Sequence, residues 1–143
     1  MNNQVNLLTL NQLYDAAILA QFDAASIGLF INIPTPGAFT ELGDITAATF
    51  DGYASVALQN VVKAVRANGL PFLTADQANW TVGPAQATQE TIMGDYVFEA
   101  GELRGWRMYD TPIVVQTVGQ VIKVTMDWAF GDLAPSELIP QIT

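Results

Sequence analysis

Cysteine and histidine are both absent from this chain. Without cysteine there is no disulfide and no thiolate chemistry, and the redox compartment leaves no mark on the sequence. Without histidine, Ser-His-Asp and Cys-His arrangements are excluded, as is every zinc site built on imidazole. Paired carboxylates remain open on composition alone. Bases are scarce too, with five Lys and Arg against fourteen Asp and Glu, a net charge of −9. That balance opposes binding to DNA or RNA, where phosphate contacts need clustered bases, and docking on an anionic membrane. No apolar run approaches the roughly 18–20 residues of a membrane span. The opening MNNQVNLL lacks the basic stretch of a signal peptide.

The chain has 143 residues, which fits one domain, and half of them are hydrophobic, enough for a sizeable core. Charged residues make up only 13%, against about a quarter in an ordinary soluble domain. So little charge predicts a surface partly covered by a partner, although Ser, Thr, Asn and Gln also solvate a surface.

Three regions follow from the pattern. Residues 1–26 form an N-terminal arm and a short helix: Leu13, Ala16, Ala17 and Ala20 recur at helical spacing after Asn11, a candidate N-cap. Residues 27–131 form a β-sandwich, and residues 132–143, with two prolines, run as a coil tail. In SIGLFINI, Ile27, Leu29, Ile31 and Ile33 fall on one face of a strand and Phe30 on the other. PTPG ends that strand, and Asp44 caps a single helical turn carrying Phe50. Residues 53–59 read as strand, residues 60–68 fit helix or strand, and Pro71 breaks the pattern.

The second half is β throughout. A short strand surrounds Trp80 and Val82. TIMGDYVF places Ile92, Tyr96 and Phe98 on one face. EAGE turns, LRGWRMY returns, and Thr111-Pro112 kinks or ends the return strand. The last segment, QVIKVTMDWAF, alternates, with Ile122, Val124, Met126, Trp128 and Phe130 one way and Lys123, Thr125 and Asp127 the other. One apolar and one polar face mark an antiparallel sheet. The expected fold is all-β, an antiparallel β-sandwich of jelly-roll-like form, with Trp106 and Trp128 in its core.

Little chemistry is visible. Asp95, Glu99 and Glu102 spread along a strand and its turn, without the close regular spacing of a calcium loop, so they read as a solvated face. Arg104 and Arg107 point to opposite sides of one strand and cannot clamp one substrate. They are expected to meet acids on neighbouring strands, or on a neighbouring subunit.

The stretches INIPTPGAFTELGDITAATFDGYASVAL and TIMGDYVFEAGELRGWRMYDTPIVVQTVGQVIKVTMDWAFG resemble small virion structural proteins of tailed bacteriophages. The likeness lies in the acidic element from Asp44 to Ala54 with Phe50, Gly52 and Tyr53, the Gly-containing strand from Ile92 to Phe98, the proline at Pro112 and a closing strand from Gly119. It covers residues 27–131. Such a resemblance implies a structural role on a capsid or tail and no catalytic residues.

The sequence therefore leads to a capsid decoration or cement protein on the virion surface, binding the major capsid protein or other virion proteins as a homo-oligomer. No enzymatic activity, cofactor or metal is expected, and neither nucleic acid nor membrane as a partner. The expected interface is the apolar arm (Val5, Leu7, Leu8, Leu10, Leu13), with Arg104 and Arg107. The alternative is a tail or fibre component recognising a host surface glycan, for which Tyr14, Trp80 and Tyr109 are the available aromatics.

Overall fold

The computed structural model of the protein describes residues 19–33 and 41–128. Within them lie one short helix, α1 (Leu19–Phe22), and nine strands. The strands are β1 (Ser26–Phe30), β2 (Val56–Ala57), β3 (Val62–Val65), β4 (Pro71–Thr74), β5 (Ala78–Thr81), β6 (Glu90–Glu99), β7 (Glu102–Val115), β8 (Val121–Val124) and β9 (Asp127–Trp128). They form three sheets, ordered β2-β1-β6-β7, β3-β4-β9 and β5-β8. Every pairing is antiparallel. The all-β, antiparallel expectation therefore holds.

The three sheets feed one core. Ile27 and Leu29 of β1 and Val97 of β6 meet Leu73 of β4, Trp80 of β5, Ile122 and Val124 of β8, and Trp128 of β9. Each such side chain contributes roughly 1.5–3 kcal/mol by leaving water. Phe22 of α1 closes one side, its ring edge-on to Trp128 at 6.3 Å. Gly105 of β7 lies under that indole, and a Cβ there would strike the ring. The glycine lets the largest core side chain approach the sheet.

The four-stranded sheet is apolar on both faces. Gly28 and Phe30, on the reverse face of β1, are as buried as Ile27 and Leu29. Phe30 and Trp106 meet edge-on at 6.3 Å, and Tyr96 and Phe98 stack at 5.4 Å. Trp106 thus belongs to this second aromatic layer and not to the main cluster, contrary to the sequence expectation. Ile33 is 75% exposed, because β1 ends at Phe30 and the alternation stops with it.

Other boundaries also differ. The final alternating segment is two strands: β8 pairs with β5, and β9 pairs with β4. Inside–outside alternation survives the switch of sheets, with Ile122, Val124, Met126 and Trp128 all buried. Within residues 60–68, Val62–Val65 form strand β3, which hairpins into β4 through a turn with Gly69 at φ 86°. Between 53 and 59 only Val56–Ala57 pairs as strand. Pro71 opens β4, a position where a strand tolerates proline. Asp44 ends a 3-10 turn, Leu42–Asp44, instead of starting one, and its carboxylate accepts from the Glu41 amide. Phe50 lies outside that turn. Asn11, Leu13, Tyr14, the arm residues before them, Phe130 and the 132–143 tail lie outside the described residues.

Candidate functional site

The β6–β7 hairpin positions the polar groups of interest. Ala100 and Gly101 form its two-residue turn, with φ of 51° and 78°, the left-handed pair that this turn type requires. Two irregularities follow. Near the turn, β7 carries one extra residue between Leu103 and Gly105, while their partners Phe98 and Val97 are adjacent. Without that residue Asp95 would stand opposite Trp106; with it, Asp95 faces Arg107. Farther on, Gly94 pairs with Met108 and Ile92 with Ile113. Residues 109–112 therefore bulge out opposite Met93 alone. Pro112, which has no amide hydrogen, sits in this bulge on a strand that is at the sheet's edge among the described residues. The kink expected at Thr111-Pro112 is real, and β7 continues past it to Val115.

The register brings a buried ion pair together. Asp95 is fully buried and Arg107 is 4% exposed. Arg107 Nε donates to both carboxylate oxygens of Asp95, at 2.9 and 3.0 Å, and Nη2 donates to the Thr125 carbonyl at 2.7 Å. The Tyr109 hydroxyl donates to Asp95 Oδ2 at 2.8 Å. Arg107 also lies 5.8 Å from the centre of the Trp128 ring. One guanidinium thus ties β6 and β7 to the link between β8 and β9, and so joins the sheets. Burial pushes the Asp95 carboxyl above its usual range, against the pull of Arg107 and of the Tyr109 and Arg107 hydrogen bonds. Burial, then the Asp95 charge, pushes the Tyr109 hydroxyl far up, so it stays a donor.

This geometry corrects two expectations. Asp95 does not belong to a solvated face, because the register turns it into the core opposite a base. Arg107 finds its acid on a neighbouring strand, the first of the two partners expected for it: it meets Asp95 of β6 and also donates to the Thr125 carbonyl. Tyr96 and Phe98 do not share a face with Ile92 either. Ile92 and Val97, five positions apart, both enter the main core, so strict alternation along β6 breaks between them, and the pairing with β7 shifts between Ile92 and Gly94. Arg104, the residue inserted at the first irregularity, pairs with Glu102 at 3.0 Å and Glu99 at 3.7 Å around the turn. Val5, Leu7, Leu8, Leu10 and Leu13 lie outside the described residues.

A groove of about 520 Å³ opens beside the bulge. Arg107, Tyr109, Asp110 and Thr111 line it from β7, with Lys123 and Thr125 across from them. Arg107 Nη1 is buried and has no hydrogen-bond acceptor among the described residues. Of the aromatics considered for a glycan site, Tyr109 lines this groove, and Tyr14 lies outside the described residues. Trp80 is in the core, its indole N–H donating to the Ala54 carbonyl at 2.6 Å. No protein-family model, curated protein or solved structure matches this chain. Among the described residues no group of three or more carboxylates is placed to hold a metal ion, and no helix is long and apolar enough to cross a membrane.

A second polar lock fixes the segment before β2. Glu90, at the start of β6, accepts from the Thr49 and Phe50 amides at 2.9 and 3.0 Å and from the Thr49 hydroxyl at 2.6 Å. Asp51 accepts from the Ala85 amide at 2.9 Å. These carboxylates hold loops against one another, and both oxygens of Glu90 are occupied in doing so.

Proposed function

We propose that this protein is a structural component of a tailed-phage virion, a decoration or cement protein that binds the major capsid protein and stabilises the head. The resemblance over residues 27–131 supports the class. The observation that carries the binding role is the connection from β7 to β8, where Val114, Val118 and Val121 are between 38 and 54% exposed. Exposed large apolar side chains close together in the sequence, at the end of β7, in the turn and at the start of β8, are of the kind that a protein partner covers. The low proportion of charge, 13%, agrees with a molecule that works in contact with others. We read the three sheets around their shared core as a jelly-roll-like sandwich. The proposed assembly is a symmetric homo-oligomer, with the apolar arm of residues 5–13 and the valines of the β7–β8 connection as contact elements. The role assigns no catalytic residue, cofactor or metal.

A second role, as a tail or fibre component recognising a host surface glycan, is favoured by one observation: the groove that groups Tyr109 with Asp110, Thr111 and Lys123. Binding of the purified protein to undecorated heads separates the two. A decoration protein saturates heads in a fixed stoichiometry, and Val118→Lys with Val121→Lys lowers that occupancy at least about tenfold, a loss of about 1.4 kcal/mol. A tail component leaves heads bare.

A further inference from the structure

The bulge in β7 gives up regular ladder pairing on a strand of fourteen residues. Bulges of this kind re-aim side chains, and they gather next to functional sites. Here the bulge carries Tyr109, Asp110 and Thr111, which form one wall of the groove. Lys123 and Thr125 form the other.

Both walls are fixed from beneath by a single buried network. The Tyr109 hydroxyl is held by Asp95, and the Thr125 carbonyl is held by Arg107, itself held by Asp95. A site whose walls are locked before the ligand arrives spends little binding energy on ordering them. Its volume of about 520 Å³ falls within the ~300–1,000 Å³ of small-molecule sites.

The charges select the ligand. Arg107 is matched by Asp95 beneath the groove, and Lys123 and Asp110 bring one opposite charge each to its walls. An anion would meet Asp110 and the field of a chain carrying −9. A cation would meet Lys123. An apolar ligand would strip water from Asp110, Thr111, Lys123 and Thr125 without replacing their hydrogen bonds. A neutral ligand rich in hydroxyls suits all of them: each hydroxyl donates to Asp110 and accepts from Lys123 or a threonine. The Tyr109 ring and Ile113 supply apolar surface for the C–H face of a sugar ring.

We propose that the groove between the 109–112 bulge and β8 is a binding site for a neutral saccharide. The ring packs on Tyr109, and its hydroxyls are read by Asp110, Lys123, Thr111 and Thr125. The proposal rests on the groove alone and holds for a head protein or a tail protein.

The test is a titration of the isotopically labelled full chain, followed by amide nuclear magnetic resonance. The probes are D-glucose, D-galactose, D-mannose and N-acetyl-D-glucosamine, with N-acetylneuraminic acid and inorganic sulfate as anionic counterparts. At least one neutral sugar should shift the amides of residues 109–113 and 123–125, saturating with a dissociation constant of roughly 1–10 mM. Asp110→Ala and Lys123→Ala, both at exposed positions, should each weaken it at least about fivefold while leaving the remaining spectrum unchanged. The proposal is overturned if no neutral sugar shifts these amides at about 50 mM, if only the anions do, or if Asp110→Ala binds as well as wild type. A negative titration leaves the capsid role intact, because that role is read from occupancy on heads.

Discussion

Replacing Arg107 by Met removes one half of the buried pair and keeps most of the side chain's volume. Asp95, fully buried, would be left with the Tyr109 hydroxyl as its remaining side-chain donor. The Thr125 carbonyl would lose the Nη2 donor that joins the sheets. Breaking a buried pair from one side costs about 3–5 kcal/mol, because the abandoned charge stays in low dielectric. The loss should depend on pH in a fixed direction. Burial already raises the Asp95 carboxyl above 3.8, and Arg107 pulls it down; without Arg107 it rises further. In the variant, folded Asp95 holds a proton that the unfolded chain releases above 3.8, so stability falls as pH rises from there through the folded value. The difference from wild type should therefore be largest near pH 7 and shrink on acidification toward about pH 4.5. Adding Asp95→Leu to Arg107→Met should recover most of the loss, to within roughly 1–2 kcal/mol of wild type, since no buried charge remains. Urea denaturation followed by tryptophan fluorescence measures all three proteins at both pH values. A single variant that loses less than about 1 kcal/mol, or whose deficit grows on acidification, would refute this account of the pair.

Ala100 holds a left-handed φ of 51° in the β6–β7 turn, where an Asn-Gly sequence is preferred; Ala100→Asn should stabilise by roughly 0.5–1 kcal/mol, read as a higher urea midpoint at unchanged slope. Deleting residues 1–12 should leave a β-dominated circular dichroism spectrum while lowering occupancy on heads or breaking the oligomer, the latter measured by light scattering after size-exclusion chromatography. Unchanged assembly and binding would make the arm a bystander.

Much of the β architecture was legible because periodicity and turn chemistry agree. The alternation from Ile122 to Trp128 survives although the segment divides between two sheets, since a change of partner strand leaves the period of two intact. The hairpin at residues 99–102 was legible from Gly101. The ionic centre was not. The extra residue near Arg104 moves Asp95 from Trp106 to Arg107, and nothing in the residue types near 103–105 announces a one-residue shift. A partial signal existed: an aspartate inside TIMGDYVF, an otherwise apolar run, needs a partner if that run is buried. Tyr109 and Arg107 are two residues apart on β7 and bond one acid, but that acid lies on another strand. Trp106 misled for a related reason. A central sheet covered on both faces gives its reverse side the same apolar composition as its core side, and composition cannot tell the two apart.

The most direct test of the central claim is to mix the purified protein with undecorated phage heads and image the particles by electron cryomicroscopy. The account predicts added density at symmetric positions on the capsid, with the β7–β8 connection of Val114, Val118 and Val121 turned toward a neighbouring subunit. Bare heads at saturating protein, or density confined to tails, would contradict it.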